Sequence, residues 1–238
     1  MDRDLVKILG YGVDSFTFDE AVEYAYSHHG QIVTINPEMI SEARKNKDFS
    51  EIVEHADLVV PDGIGVEIGL KILGHKVRRI PGIELGRALI VKFSDENKTV
   101  AFVGAKPEVV ESAVKMLRTD IQNLNVVYFH DGYFKDANII MDSLYQAKPD
   151  LVLVALGSPK QEFFIAEMKT RLPNSTFIGL GGSFDVWAGH VERAPEIYQN
   201  LGLEWLYRTI KEPKRFKRIF PTLPLFILSV LKERLFKR

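Results

Sequence analysis

The chain has 238 residues, 46% hydrophobic and 26% charged, with a formal net charge of −1. That length and balance suit one large folded domain, or a domain with an appendage, and exclude a disordered or collagen-like chain. It has no cysteine, which excludes disulfides, thiolate metal sites and a cysteine nucleophile and fits a reducing compartment.

The chain opens on Met1-Asp2-Arg3-Asp4 followed by only a few apolar residues, so no secretory signal is expected. From there helical and strand patterns alternate. Helical spacing or length covers 18–28, 37–56, 64–73, 83–93, 107–123, 137–146 and 160–172; β-branched runs at 31–36, 57–61, 99–104, 126–129, 150–156 and 176–180 read as strands. Most of these runs are almost continuously apolar, as in strands buried on both faces. Pro37 and Pro107 stand where a first-turn proline is tolerated. The alternation predicts an α/β protein with a doubly wound, mostly parallel sheet and right-handed crossovers. Ligands of such sheets bind outside the carboxyl ends of the strands.

Four presumed strand ends carry glycine, proline or small polar residues: Thr34-Ile35-Asn36-Pro37, Val60-Pro61-Asp62-Gly63, Gly157-Ser158-Pro159-Lys160-Gln161-Glu162 and Gly179-Leu180-Gly181-Gly182-Ser183-Phe184-Asp185. Glycines admit close backbone approach and helix N-termini favour anions, so several such corners on one edge suit a nucleotide or a sugar nucleotide. Any one of them is equally an ordinary α/β turn. Asp62 has two readings, a general base on a hydroxyl or the N-cap of the helix that follows. Asp185 is a base, a ribose ligand or a turn former. Lys160, Arg79 and Arg193 follow strand ends or Gly/Pro loops and either pair with phosphate or are simply solvated.

The chain lacks a GxxxxGK[ST] loop, a complete GxGxxG after a strand, an HExxH set and a GxSxG elbow. Nothing in it demands a metal or an organic cofactor, and charge on a leaving diphosphate would fall to Arg, Lys and helix N-termini.

Beyond Gly202 the strand pattern stops, which divides the chain into an α/β domain, 1–200, and a basic amphipathic appendage, 201–238. The appendage has 10 Lys and Arg against 3 Asp and Glu; the body has 21 against 29. Leu223, Phe226, Ile227, Val230, Leu231 and Leu235 follow one-face helical spacing with basic clusters at both ends. That is the pattern of a helix lying on an anionic membrane surface, with a core helix and a dimer interface as the alternatives. The apolar stretch at 220–231 has two prolines and is too short to span a bilayer. Nucleic acid is not an expected partner, because the body is acidic and the tail apolar.

Taken together these motifs, with Arg79-Ile80-Pro81-Gly82, Arg193-Ala194-Pro195, Gly202-Leu203-Glu204-Trp205-Leu206-Tyr207-Arg208 and Glu212-Pro213, resemble the WecG/TagA/CpsF family of bacterial glycosyltransferases over nearly the whole chain. The resemblance implies a Rossmann-like core and inverting, metal-independent transfer of N-acetylmannosamine from UDP to undecaprenyl-diphosphate-linked N-acetylglucosamine, as in wall teichoic acid synthesis. Another UDP sugar, such as N-acetylmannosaminuronic acid, is the alternative donor. A nucleotide-cofactor oxidoreductase is the alternative of another class. The resemblance also implies a peripheral position on the cytoplasmic face of the membrane. It makes Asp62 the base and Thr34, Asn36, Arg79, Gly157, Lys160, Gln161, Glu162, Gly181, Gly182, Asp185 and Arg193 substrate-pocket residues. Arg208, Lys214, Arg215 and Arg218 become appendage contacts for a diphosphate or the membrane.

Overall fold

The computed structural model describes residues 3–211 and 216–236, without the side chains of Asn200, Arg208 and residues 216–220. The chain begins with a hairpin, β1 (Leu5–Ile8) and β2 (Tyr11–Asp14), paired antiparallel. Leu9 and Gly10 turn it with φ of 51° and 98°, the doubly positive pair that a two-residue hairpin turn requires. The hairpin is an addition to the expected elements, since four-residue strands leave little periodicity to read.

Then follow α1 (Phe18–His28), β3 (Gly30–Ile35), α2 (Pro37–Ala43), α3 (Lys47–Glu54), β4 (Leu58–Pro61), α4 (Ile64–Leu73), α5 (Gly82–Asp95), β5 (Thr99–Gly104), α6 (Pro107–Asp120) and β6 (Asn125–His130). The second half holds α7 (Ala137–Ala147), β7 (Leu151–Ala155), α8 (Lys160–Arg171), β8 (Thr176–Gly179), α9 (Ser183–Trp187), α10 (Glu196–Asn200), α11 (Glu204–Lys211) and α12 (Phe216–Phe236). The single helix expected over 37–56 is two. Asn46 accepts from the Phe49 N–H at 3.2 Å and starts α3 afresh, the usual way an Asn side chain competes with helix continuation.

Six strands form one sheet in the order β4-β3-β8-β7-β5-β6, parallel at every pairing. Neighbouring residues of β5 face opposite cores: Val100 and Phe102 join the cluster under α1, α5 and α6, while Ala101 and Val103 join the one under α7 and α8. Covered faces on both sides explain the continuous apolar runs. Because all six strands run the same way, their carboxyl ends share one edge.

The third core joins the hairpin, α2, α3 and α4 to Phe226 and Val230 of α12, which are 3% and 0% exposed. For these two residues the core-helix reading of the apolar stripe is the correct one. Small residues make room for them. A Cβ on Gly69 would lie 3.1 Å from the Phe226 ring, and one on Gly65 would lie 2.9 Å from Leu223. The far end of α12 is tied down where Glu233 accepts the Leu9 N–H at 2.8 Å and Arg234 donates to the Ile72 carbonyl. Burying each apolar side chain contributes about 1.5–3 kcal/mol, so α12 is an integral part of the packing. Leu231 and Leu235, by contrast, are 41% and 73% exposed. No described helix is long and apolar enough to cross a membrane.

Candidate active site

A cavity of about 290 Å³ opens at the carboxyl ends of β3, β4 and β8. Its floor is Thr34 near the end of β3, Asn36 just after it and Asp62 after β4; Arg79, Gly82 and Ile83 wall one side, and Leu180, Gly182 and Ser183 another. The appendage closes it with Gly202, Glu204 and Trp205 near the start of α11 and Thr222 and Leu223 of α12. Of the residues expected from sequence, Thr34, Asn36, Asp62, Arg79 and Gly182 meet here.

Backbone bonds place Asp62. Ile35 pairs with Pro61 in the parallel register, the Asp62 N–H donates to the Ile35 carbonyl at 2.8 Å, and the Ile80 N–H donates to the Pro61 carbonyl at 2.7 Å. The N-cap residue of α4 is Gly63, at φ 83°. The N-cap position expected as one reading of Asp62 therefore falls one residue later.

Arg79 has its N–H on Glu67 at 2.9 Å and its guanidinium on the Gln199 carbonyl. It thus joins the cavity wall to α10. Arg193 does not line the cavity; it pairs with Glu84 in the first turn of α5, next to the lining residues Gly82 and Ile83.

Gly157, Lys160, Gln161, Glu162, Gly181 and Asp185 also lie outside the lining. Lys160 is exposed at the start of α8. Asp185 lies in the first turn of α9, its backbone carbonyl accepting from His190 and Val191. Gln161 and Glu162 turn inward, 5% and 3% exposed. The Gln161 amide donates to Glu162 Oε1 at 2.8 Å and accepts the Gly181 N–H at 3.1 Å. It fills the space over β8 so closely that a Cβ on Gly179 would lie 2.5 Å from it. The pair braces the loop that carries Leu180, Gly182 and Ser183 into the cavity. Lys214 and Arg215 lie outside the described residues, as do the side chains of Arg208 and Arg218.

Burial pushes the Glu162 carboxyl above the usual carboxylate range, against the opposing hydrogen bonds from Gln161 and Ser158. A buried acid with a raised pKa keeps its proton in the folded chain at pH values where the unfolded chain has lost it, so stability falls as pH rises through that window. Glu162→Gln keeps an oxygen for the Gln161 amide and cannot ionise. It is expected to melt like the parent at low pH and above it at neutral pH. A difference in melting temperature that stays constant with pH would contradict this.

Glu38, Ser183, Glu204, Trp205, Thr222 and Leu223 line the cavity without having been singled out as site residues. The Gly202–Arg208 motif contained Glu204 and Trp205, the Gly179–Asp185 strand end contained Ser183, and Pro37-Glu38 follows Asn36 directly, so those four had a sequence signal.

The sequence pattern described as "Glycosyl transferase WecG/TagA/CpsF family" matches residues 6–238, including every segment that lines the cavity. The chain belongs to this family. The transferase is 38% identical over 203 residues to an N-acetylglucosaminyldiphosphoundecaprenol N-acetyl-beta-D-mannosaminyltransferase of Bacillus spizizenii, covering 85% of this chain and 79% of that one. It is 35% identical over 219 residues to the Bacillus subtilis protein of the same name, covering 89% and 85%. The transferase therefore carries its glycosyltransferase pattern on a parallel sheet whose carboxyl edge holds the cavity.

Proposed function

We propose that this glycosyltransferase moves N-acetylmannosamine from its UDP donor to N-acetylglucosamine carried on undecaprenyl diphosphate, with Asp62 as the base. The observation that carries the assignment of Asp62 is its place: in the cavity, directly after β4, with its N–H held by the backbone of β3. The two relatives' names supply the substrates. In a single displacement Asp62 takes the proton of the acceptor hydroxyl as its oxygen attacks the anomeric carbon. The bond from that carbon to the donor phosphate oxygen breaks, and UDP departs with the electron pair. Attack opposite the leaving group turns an α-linked donor into a β-linked product.

Cationic groups meet the charge that grows on UDP. Arg79 is in the cavity wall; Arg193, Lys160 and, in the appendage, Arg208, Lys214, Arg215 and Arg218 are the further candidates in this proposal. Gly157, Gly181 and Asp185 complete the donor side of the cleft in the same reading.

A lipid-linked acceptor requires contact with the bilayer. The face of α12 turned away from the body carries Leu225 and Leu228, each 62% exposed, and Leu235 and Phe236 beyond them, beside the basic clusters. Apolar insertion flanked by Lys and Arg suits an anionic membrane surface, here the cytoplasmic face.

The test is product formation. Synthetic lipid-linked N-acetylglucosamine is mixed in separate reactions with UDP-N-acetylmannosamine, UDP-N-acetylmannosaminuronic acid and other UDP sugars, and the products are weighed by mass spectrometry. The expected result is one added N-acetylhexosamine from UDP-N-acetylmannosamine. Transfer from another donor alone would overturn the donor, and transfer from none would overturn the reading.

A further inference from the structure

Asn36 does two things at once. It is the N-cap of α2, and its Oδ1 accepts the N–H groups of Glu38 and Met39, each at 3.0 Å. Two backbone donors converging on one end of an amide fix which end is oxygen. The Nδ2 end, which can only donate, makes no hydrogen bond among the described residues. Asn36 is half-buried and lines the cavity.

Asn36 and Asp62 are also the next positions after Ile35 and Pro61, which pair in the parallel register. The two side chains therefore leave neighbouring strand ends, one a donor and the other, when ionised, an acceptor. A donor beside an acceptor complements a sugar, whose hydroxyl oxygens both accept and donate.

We propose that Asn36 is a donor-only ligand of the acceptor sugar, its Nδ2–H holding a sugar oxygen beside the hydroxyl that gives its proton to Asp62. The α2 cap locks that polarity, so the helix end and the recognition site are one device. The inference rests on the reading of Asp62 as the base, since that is what puts the acceptor rather than the donor next to Asn36.

Substitution separates the two roles. Asp and Ser cap helices about as well as Asn, whereas Ala does not. Asn36→Ser keeps the cap and removes the amide; Asn36→Asp keeps the cap and puts an acceptor where the donor was. Both are expected to melt within about 2 °C of the parent, with Asn36→Ala melting lower. Both should lower kcat/KM for the acceptor by about 10- to 100-fold, the usual effect of losing a hydrogen bond inside a site, while KM for the UDP sugar stays put.

Calorimetric binding of a water-soluble, short-chain lipid diphosphate of N-acetylglucosamine gives a readout independent of turnover, and should weaken by the same factor. Parent-like acceptor binding and kinetics in Asn36→Ser would assign Asn36 to capping alone, and an equal loss on donor and acceptor would remove the proposed partner. Absence of transfer by the parent enzyme from every donor would count against the functional reading, while the binding comparison would still decide Asn36.

Discussion

Asp62→Asn should lose transfer by about 10²- to 10⁴-fold, the range that a positioned general base contributes, while the chain melts as before. Asn has nearly the same shape but cannot take a proton from the acceptor hydroxyl. Two backbone contacts that place this segment, from the residue 62 N–H to Ile35 and from Ile80 to Pro61, survive the change. The N-cap residue of α4 is Gly63, which is untouched. The measurement is turnover of a labelled UDP sugar onto lipid-linked acceptor, with thermal unfolding as the control. Turnover near the parent's in a stable variant would remove Asp62 from the chemistry.

The second large effect comes from α12, whose two faces should fail separately. Phe226 is 3% exposed and packs over Gly69. Replacing a buried Phe by Ala costs about 3–5 kcal/mol, enough to loosen the helix that brings Thr222 and Leu223 to the cavity. Phe226→Ala should therefore lower melting temperature and activity even on a short, water-soluble acceptor. Leu225 and Leu228 are each 62% exposed, so Leu225→Glu with Leu228→Glu should leave melting and soluble-acceptor turnover intact. That variant is expected to abolish co-sedimentation with anionic vesicles and to slow transfer onto vesicle-embedded acceptor. Unchanged vesicle binding would contradict the membrane role of the outer face.

This division shows what one-dimensional periodicity can and cannot carry. Five of the six sheet strands were legible because their apolar runs are covered on both faces; the edge strand β6, whose residues alternate exposed and half-buried, was legible from its β-branched and aromatic residues. Asp62 and Asn36 were legible as candidates because polar residues directly after apolar runs fall at the carboxyl edge, and Thr34 because it is the polar residue near the end of such a run. The stripe on α12 was visible, but its partner was not: whether Leu223 and Phe226 meet solvent, lipid or protein depends on Gly65 and Gly69, about 160 residues earlier. Thr222 and Leu223 reach the cavity through that same long-range docking. Gln161 and Glu162 stand after a strand end like Asp62, yet they turn inward over Gly179, a choice set by the absence of a Cβ on a neighbouring strand. The break at Asn46 and the short β1–β2 hairpin depend on local side-chain and turn chemistry that apolar periodicity does not register.

The proposed reaction is a single displacement at the anomeric carbon with Asp62 taking the proton. The most direct check is the anomeric configuration of the product formed from UDP-N-acetylmannosamine, read by proton and carbon NMR on the disaccharide released from the lipid. A β linkage from the α-linked donor is the expected result. An α linkage would require retention, and would contradict a mechanism in which one base activates the acceptor for direct attack.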